Sequence, residues 1–491
     1  DLDLGHYERF ADLVCSKASN YTTGRIYQTV IERERRGDYL GKTVQVVPHI
    51  TDEIKRAIRT LDGDDVDIAI TEIGGTAGDI ESLPFLEAIR QYRQEIGPRN
   101  GLFIHLTLVP FLRAAQELKT KPSQQSVGIL REIGIIPDIL ICRCERPLGK
   151  DHLEKLALFC NVRRELVIQE VDVAHTIYEV PIELAQQEVD TYIIELLGLH
   201  VRDLKLEDWH DLVRRIVSPK ASQCEVAVVG KYTGLKDAYK SIYEALDHGA
   251  IAGNVALKLR QVEATDVETK GAAALLDGVD GILVPGGFGD RGIEGKIAAV
   301  QYARKHSLPF LGVCLGMQCA VIEFARHACG LSDANSQEFA PRSSAQVIHL
   351  MEEQKSVRNL GGTMRLGAWP CQVVPGSKAA LAYGATTISE RHRHRFEVNN
   401  AYRERLEQAG MVISGASPDG TLVEMIELRD HPWFVACQFH PEFKSRPLQA
   451  HPLFREFVAA AAGRQAEGGS KEAPGGGAGG GPEVRRHGRK A

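Results

Sequence analysis

Short apolar runs alternate with amphipathic stretches along both halves of the chain. Aliphatic and β-branched residues fill runs at 66–70, 102–109, 139–142, 226–229, 281–284, 309–313 and 434–439. Such runs lack the polar alternation of a half-exposed strand and are typical of strands buried on both faces of a parallel sheet. The pattern therefore predicts an α/β chain that folds into two three-layer domains with mainly parallel sheets.

A change in composition marks the boundary between the two halves. Residues 200–223 are polar and charged and show no strand pattern, and a new apolar run begins directly after them. We therefore expect one domain over 1–200, a linker over 201–222 and a second domain over 223–463. Residues 464–491 include a glycine-rich stretch and a basic end, which predict a disordered tail because they cannot bury a core.

Composition and charge narrow the class of protein. The 491 residues are 43% hydrophobic and 25% charged, as in a globular protein, and the net charge of −6 argues against a nucleic-acid partner. No apolar run approaches the roughly 20 residues of a membrane span, so we expect no membrane partner. The ten cysteines form no CxxC pair, which argues against structural zinc and a disulfide framework and favours a cytoplasmic location.

The strongest chemical signal is a cysteine between a predicted strand and a predicted helix. The segment Gly312-Val313-Cys314-Leu315-Gly316 has the G-x-S-x-G form of a nucleophile elbow, with cysteine in place of serine. Small flanking residues suit a tight, strained turn, and a helix N-terminus favours a thiolate. The backbone N–H of Leu315 is the natural donor to an oxyanion. A buried structural cysteine is the alternative interpretation, and the spacing disfavours it.

A histidine suited to act as the base follows the last apolar run. His440 and Glu442 are two residues apart on an extended segment, so their side chains point to the same side. Glu442 can thus orient His440, which can activate Cys314. The glycines of segment 284–289 also follow a strand, and Gly287 can supply a second oxyanion N–H, although an ordinary turn would have the same composition.

Together these residues resemble the class I glutamine amidotransferases. The resemblance covers about 225–463 and implies a catalytic triad of Cys314, His440 and Glu442. It also implies that Glu338 takes the α-amino group of glutamine and Arg395 its α-carboxylate. The glutamine-binding positions that it implies are Gly287, Leu315, Gly316, Met317, Gln318, Glu338 and Arg395.

Other motifs resemble the CTP synthase family, whose members make CTP from UTP with ATP and glutamine. They are Asp1-Leu-Asp-Leu-Gly-His-Tyr-Glu-Arg-Phe10, Glu72-Ile-Gly-Gly-Thr-Ala-Gly-Asp-Ile-Glu-Ser82, Lys119-Thr-Lys-Pro-Ser-Gln124, Gly361-Gly-Thr-Met-Arg-Leu-Gly367 and Arg391-His-Arg-His-Arg-Phe-Glu-Val-Asn399. The resemblance runs over nearly the whole chain except the tail. It implies a P-loop-like synthetase domain before the glutaminase, a homotetramer, and a role in de novo pyrimidine nucleotide biosynthesis.

The same resemblance implies nucleotide and metal sites. Mg²⁺ would be bound by Asp3 and Glu72, and ATP by Asp3, Arg143, Val171, Asp172 and Val173. Arg365 would lie in a loop through which GTP activates the enzyme. Residue 119 begins a loop that proline fixes and that suits a triphosphate. The residues that would bind UTP, and CTP as a feedback inhibitor, are Asp79, Ile80, Glu81, Lys119, Thr120, Lys121, Pro122, Ser123, Gln124 and Lys155.

One family feature has no counterpart in the sequence. The family opens with a glycine-rich phosphate loop that bears a catalytic lysine, and this chain begins at Asp1, after that position. The segment Gly37-Asp-Tyr-Leu-Gly-Lys-Thr43 comes near this motif but has three residues between its glycines rather than four. We therefore expect a further segment upstream, and we expect the chain as given to keep only the glutaminase step.

Two other functions stay open. An amidotransferase that aminates a purine nucleotide is disfavoured by the motifs at 72–82 and 119–124, and xanthosine monophosphate rather than UTP would then protect the N-terminal half from proteolysis. A non-catalytic assembly or regulatory protein built on an inactive amidotransferase is disfavoured by the complete triad. Glutamine hydrolysis that survives Cys314→Ala would favour it.

Overall fold

The computed structural model describes residues 2–63, 66–200, 203–234, 236–351 and 364–469, and for 2, 3, 236 and 466–469 it describes the backbone alone. The described chain divides into two compact units, with the boundary between Ser218 and Pro219. Among the described residues, none of the helices combines the length and the apolar character that a membrane crossing requires.

The first unit is built around a small parallel sheet. Its helices are α1 Leu2–Ala11, α2 Thr23–Arg36, α3 Thr51–Arg59, α4 Leu83–Ile96, α5 Lys121–Ile133, α6 Lys150–Cys160, α7 Val180–Gln186, α8 Val189–Leu197 and α9 Glu207–Val217. Its strands are β1 Ile104–Val109, β2 Phe111–Leu112, β3 Glu117–Leu118, β4 Ile139–Cys144 and β5 Val167–Val171. The order β1-β4-β5 is parallel throughout, and β2 and β3 form a separate antiparallel pair.

The second unit is built around a nine-stranded sheet. Its strands are β6 Ser222–Gly230, β7 Val255–Glu263, β8 Gly281–Val284, β9 Phe310–Val313, β10 Ala334–Ser336, β11 Ala345–Leu350, β12 Arg365–Val373, β13 Thr387–His394, β14 Phe396–Val398, β15 Met411–Ala416, β16 Val423–Leu428 and β17 Phe434–Cys437. Its helices are α10 Lys240–Gly253, α11 Ala264–Lys270, α12 Ala272–Leu276, α13 Ile293–Lys305, α14 Leu315–His327, α15 Lys378–Tyr383, α16 Arg403–Gln408 and α17 Pro452–Gly469.

Successive strand residues in this sheet face two different cores. The sheet order is β13-β12-β15-β16-β17-β9-β8-β6-β7. Val229 and Phe310 pack with residues of α13 and α14, whereas Val228 and Leu311 pack with residues of α10 and α17. Because side chains alternate across a strand, strands that are apolar at every position bury both faces and need helices on each side. The result is the three-layer α/β architecture that the sequence predicts.

The sheet of the second unit is mixed rather than wholly parallel. The strands from β17 to β7 pair in parallel, whereas those from β13 to β17 pair antiparallel. The run at 66–70, predicted as a strand, lies outside the strands, and its Ile70 is 89% exposed. An apolar run becomes a strand only where a neighbouring strand takes up its backbone hydrogen bonds.

Two predicted boundaries differ from the structure. The expected linker at 201–222 contains helix α9, because Trp209 and Leu212 lie on the apolar stripe of an amphipathic helix. Trp209 stacks on Phe10, with 5.6 Å between ring centroids. The sequence predicts a tail from 464, but α17 continues to Gly469 through residues such as Arg464 and Gln465, which favour helix. The remainder of the predicted tail, 470–491, lies outside the described residues.

Candidate active site

Cys314 lies at the turn between β9 and α14. Its backbone has φ 51° and ψ −103°, a conformation that is costly for a residue with a side chain. Its N–H donates to the carbonyl oxygen of Cys437 at 2.7 Å, which ties the turn to the neighbouring strand β17. The strand, strained residue and helix together form the elbow that the sequence predicts.

The glycines on either side of Cys314 are required by close contacts. A Cβ atom at Gly316 would lie 2.0 Å from the carbonyl oxygen of Val284, and one at Gly312 would lie 2.9 Å from the Cβ of Ala436. Both neighbours belong to adjacent strands of the sheet and cannot move aside easily. The small residues therefore let α14 begin directly above the ends of β8 and β17.

The predicted base and its partner reach the same edge of the sheet. Strands β9 and β17 pair in parallel, with Val313 opposite Cys437, so the residues after each strand leave the sheet side by side. The Nδ1 of His440 hydrogen-bonds to Oε1 of Glu442 at 2.8 Å. Cys314, His440 and Glu442 are all buried. The Nε2 of His440 has no hydrogen-bond partner among the described residues, which leaves it available to the thiol chemistry.

The charge balance around His440 favours the imidazolium. Burial by itself would lower the pKa of His440, but the Glu442 carboxylate and the sulfur of Cys314 outweigh it and raise that pKa to about 10. The arrangement therefore places a proton-donating imidazolium beside a sulfur nucleophile that can attack a carbonyl carbon.

One residue of this site was missed in the sequence. The side chain of Gln438 is buried, and its Nε2 lies 3.6 Å from the sulfur of Cys314. Its Oε1 accepts a hydrogen bond from Nε2 of Gln318 at 3.2 Å. The signal was present, because Gln438 precedes His440 by two residues and extended segments place such residues on one side. Gln318 also donates to the carbonyl oxygen of Phe396 at 3.1 Å, so its side chain serves this network.

The turn after β8 runs alongside the elbow. A Cβ atom at Gly286 would lie 3.0 Å from Cε1 of His440 and 3.6 Å from Cβ of Cys314. A Cβ atom at Gly287 would lie 3.4 Å from a side-chain carbon of Leu315, so the two predicted oxyanion donors are close neighbours. The first N–H groups of a helix have no acceptor within the helix, so those at the start of α14 can serve a ligand.

The other predicted glutamine-binding residues differ in what their side chains do. Glu338 accepts a hydrogen bond from the backbone N–H of Gly289 at 3.1 Å, and burial raises its pKa. Arg395 is half-buried at the junction of β13 and β14. Met317 is fully buried in the core against the sheet, and its N–H donates to the carbonyl oxygen of Cys314 at 3.0 Å. Its side chain packs into the core.

Arg365 does not lie in an open loop. It is the first residue of β12, it is buried, and its guanidinium donates to Oε1 of Glu424 at 2.7 Å. The same group includes His392 and His394, whose ring nitrogens Nδ1 and Nε2 are 3.0 Å apart. Burial, together with the nearby Arg365, lowers the pKa of both histidines, so the group is a neutral imidazole pair beside an arginine–carboxylate pair.

The first unit brings four of the five predicted ATP-binding residues, all except Asp3, to the carboxyl edge of its sheet. Arg143 lies near the end of β4, Val171 ends β5, and Asp172 and Val173 follow it. The Nε of Arg143 lies 3.3 Å from Oδ1 of Asp172, and both side chains are exposed. Ligands of parallel α/β sheets bind at this edge, because loops that leave neighbouring strands meet there.

The predicted triphosphate loop is in fact the start of a helix. Lys121 begins α5, Thr120 is its N-cap residue, and Pro122 occupies the first turn, where its missing N–H is not needed. A helix start of this kind presents N–H groups to an anion. The hydroxyl of Ser123 is buried and donates to the carbonyl oxygen of Leu108 at 3.1 Å, which holds the helix against β1.

Most of the remaining predicted residues of this unit have exposed side chains, whereas Thr120 is buried and Lys119 and Gln124 are half-buried. The carboxylate of Asp79 accepts from the N–H of Thr76 at 2.8 Å and shapes the glycine turn before it. The other exposed side chains of the set are Glu72, Ile80, Glu81, Lys121, Pro122 and Lys155. Lys119 pairs with Glu117, and Gln124 donates to Oγ1 of Thr120 at 3.1 Å. The side chain of Asp3 lies outside the described residues.

Comparisons with known proteins cover both units. Residues 1–199 match the family model described as CTP synthase N-terminus, and residues 234–460 match that of class I glutamine amidotransferase. The chain is 56% identical over 473 residues to the CTP synthase of Fibrobacter succinogenes, covering 96% of this chain and 84% of that one. It is 57% identical over 471 residues to the CTP synthase of Moorella thermoacetica, covering 96% and 87%.

Among solved structures, the glutaminase domain of Trypanosoma brucei CTPS with bound acivicin is 43% identical. The match covers 49% of this chain and 94% of that one, with a TM-score of 0.46.

Proposed function

Because the chain belongs to the CTP synthase family, ligases that use glutamine to aminate UTP to CTP, we propose that Cys314 is the nucleophile that releases the ammonia. The observation that supports this assignment is the strained elbow at Cys314 beside the hydrogen-bonded His440 and Glu442. The synthetase unit precedes the glutaminase unit along the chain, and the two activities form one C–N ligase of pyrimidine biosynthesis.

The geometry supports a sequence of proton and bond changes at Cys314. The thiolate adds to the side-chain carbonyl carbon of glutamine, and the carbonyl electron pair moves to oxygen, where backbone N–H groups of Leu315 and Gly287 stabilise the charge. His440 gives its proton to the departing nitrogen, which leaves as ammonia. Water, deprotonated by His440, then attacks the thioester, and the C–S bond breaks to release glutamate, the thiolate of Cys314 and a protonated His440, as at the start. Glu442 holds the imidazole in the required orientation throughout.

Glutamine recognition would come from two charged side chains at the mouth of this site. Glu338 is held by the N–H of Gly289 and would take the α-amino group, while Arg395 would take the α-carboxylate. An amino acid presents these two groups together, so opposite charges at fixed positions select it over a simple amide.

A cysteine exchange tests the nucleophile. Cys314→Ala should abolish glutamine hydrolysis, measured as glutamate released. Cys319→Ala is the matched control, because Cys319 is also buried on α14 but packs into the core. Loss of hydrolysis in the control alone, or hydrolysis that persists in Cys314→Ala, would contradict the assignment and favour a non-catalytic role.

We propose that the carboxyl edge of the β1-β4-β5 sheet binds the nucleotides. ATP would contact Arg143, Val171, Asp172 and Val173, which the sheet brings together. The triphosphate of UTP would lie at the start of α5, where Lys121 is exposed beside the free helix N–H groups. The further contacts that we propose for UTP or CTP are Asp79, Ile80, Glu81, Lys119, Thr120 and Lys155.

Mg²⁺ is proposed as the metal and GTP as an activator. The exposed carboxylate of Glu72 offers the hard oxygen ligand that Mg²⁺ prefers, and Asp3 is proposed as its companion. Bound Mg²⁺ would neutralise charge on the nucleotide phosphates. GTP is proposed to act through Arg365, whose guanidinium pairs with Glu424 in this structure. The active assembly is proposed to be a homotetramer.

Protection from proteolysis tests the nucleotide site. UTP should protect the first unit from a protease, and xanthosine monophosphate should not. Lys121→Ala should weaken the protection by UTP, whereas Lys270→Ala, an exposed lysine paired with Asp266 in the second unit, should leave it unchanged. Equal protection by both nucleotides would argue for a purine-directed amidotransferase.

A further inference from the structure

A buried lysine lies beneath the turn that borders Cys314. Lys296 belongs to α13, and its side chain is completely buried. Its Nζ donates to the carbonyl oxygen of Pro285 at 3.0 Å. Lysine is almost never fully buried, because its ammonium loses the hydration that water provides. Burial accordingly lowers the pKa of Lys296 to about 8.

The ammonium of Lys296 lies against the same glycine turn that borders Cys314 and His440. The Nζ lies 3.7 Å from the point where a Cβ atom at Gly287 would be, so it sits directly against the glycine pair of the turn. The preceding glycine of the same turn approaches the reacting residues, since a Cβ atom at Gly286 would lie 3.0 Å from Cε1 of His440 and 3.6 Å from Cβ of Cys314. The two adjacent glycines therefore contact the ammonium and the reacting residues respectively.

Because the peptide group is planar, the hydrogen bond from Lys296 to the carbonyl of Pro285 also orients the N–H of Gly286. The carbonyl of Pro285 and the N–H of Gly286 belong to one rigid unit and point in opposite directions. A donor that holds the carbonyl on one side of the turn therefore fixes the N–H on the other. This orientation in turn limits the rotation of the next peptide group, which carries the N–H of Gly287.

A second lysine holds the far end of the same turn. Lys231 donates to the carbonyl oxygen of Phe288 at 3.0 Å and also to that of Gly289. The N–H of Gly289, which shares a peptide group with the Phe288 carbonyl, donates to Glu338 on the opposite side. In this half of the turn, a lysine on the carbonyl accompanies an N–H that donates to Glu338, the residue proposed to take the α-amino group of glutamine.

We propose that Lys296 is a positioning residue for glutamine hydrolysis: it orients the 285–287 turn so that the turn's N–H groups stabilise the oxyanion formed at Cys314. The proposal rests on the proposed role of Cys314 as the nucleophile. Lys296 neither gives nor takes a proton in the reaction. It acts through the peptide groups, so its removal affects the step that builds negative charge on the glutamine oxygen.

Two reactions of Cys314, glutamine hydrolysis and alkylation by iodoacetamide, distinguish an effect of Lys296 on the oxyanion from a general disruption of the site. Hydrolysis of glutamine passes through an oxyanion, whereas alkylation of the thiolate by iodoacetamide displaces iodide and forms none. Lys296→Met keeps the length and most of the volume of the side chain but removes the ammonium. It should lower kcat for glutamine hydrolysis by tenfold or more, with KM changed by less than about threefold. The alkylation rate, with Cys314→Ala as background, should stay within about threefold of the parent.

The chain offers a matched control and a second variant. Lys378→Met removes an ammonium that donates to the carbonyl oxygen of Leu428 at 3.2 Å, away from the turn, and should change neither reaction. Lys296→Gln retains an N–H donor and should recover part of the lost kcat, which gives a result even if the methionine variant does not fold.

Three results would overturn the proposal. Hydrolysis unchanged in both Lys296 variants would show that the turn holds its shape without the ammonium. Hydrolysis and alkylation lowered together in folded protein would show a general disruption of the site. Equal kcat values for glutamine hydrolysis in Lys296→Met and Lys296→Gln would show that the hydrogen bond has no role. Failure of the nucleophile assignment itself is recognised separately, because Cys314→Ala would then retain hydrolysis.

Discussion

Replacement of Glu442 by glutamine tests the charge arrangement that the site is built on. The variant keeps the size of the side chain and removes the carboxylate that lies 2.8 Å from Nδ1 of His440. Without that charge, the burial that disfavours the imidazolium is less well compensated, so the pKa of His440 should fall from about 10. The amide can also present its N–H₂ to Nδ1, which would favour the wrong tautomer of the ring.

The size of the effect follows from the pKa of the histidine. A rise from its ordinary value of 6.5 to about 10 corresponds to roughly 5 kcal/mol in favour of the imidazolium. Glu442 is the largest single cause that raises this pKa, so its loss removes a large part of the preference for the imidazolium, on the order of a few kcal/mol. We therefore expect Glu442→Gln to lower kcat for glutamine hydrolysis by about 100-fold, with the tautomer effect adding to the loss.

The same change has a signature in stability. A histidine whose pKa is higher in the folded state stabilises that state fully below its unfolded pKa, about 6.5, and the contribution is lost as pH rises through the folded pKa, about 10. The free energy of unfolding of the parent should therefore fall between pH 7 and pH 10. In Glu442→Gln the free energy of unfolding should fall less over this range, because the pKa of His440 would be raised less in the folded state.

A buried carboxylate–imidazole pair elsewhere provides the control. Glu390 contacts Nε2 of His451 at 3.1 Å, and both residues are buried. Glu390→Gln should leave hydrolysis within about fivefold of the parent. Hydrolysis by Glu442→Gln within about fivefold of the parent, in folded protein, would refute the reasoning about His440.

Three further expectations concern the elbow, its missed neighbour and the ATP site. In urea unfolding, Gly316→Ala should destabilise the protein by about 3 kcal/mol or more, because the new Cβ would lie 2.0 Å from a carbonyl oxygen. As the control, Gly463→Ala in α17 has open space around its new Cβ and should stabilise the protein by about 0.5–1 kcal/mol. Gln438→Ala should lower glutamine hydrolysis by about fivefold, the value of one hydrogen bond, and an unchanged rate would contradict a role for its contact with the sulfur. Arg143→Ala should weaken ATP binding, measured by calorimetry, by about tenfold, whereas Arg163→Ala should not.

Local features of the site could be predicted because their causes lie within a few residues. The elbow at Cys314 needs only a buried strand, two small residues and a helix in succession, and the sequence contains all of these. The common side of His440 and Glu442 follows from two-residue alternation and is realised as a hydrogen bond. The same reasoning would have found Gln438 had it been extended one step upstream.

Helix and strand boundaries were less predictable. Residues 121–124 contain a proline and polar side chains and suggest a loop, yet proline also suits the first turn of a helix, where α5 begins. The apolar run at 66–70 has the composition of a strand, but composition does not supply a neighbour to pair with. Likewise, apolar strands do not reveal that half of the nine-stranded sheet pairs antiparallel.

The sequence by itself determined the α/β class, the elbow, the proposed trio of Cys314, His440 and Glu442, and the family resemblance, since each rests on residue type and short spacing. Only the tertiary structure decided which distant residues share the site. It placed β17 beside β9, so that His440 meets Cys314 across more than a hundred residues of chain. It buried Lys296 under the turn at 285–287 and paired Arg365 with Glu424. Such contacts depend on strand order and helix packing, which arise from the whole chain and are encoded in no single segment of it.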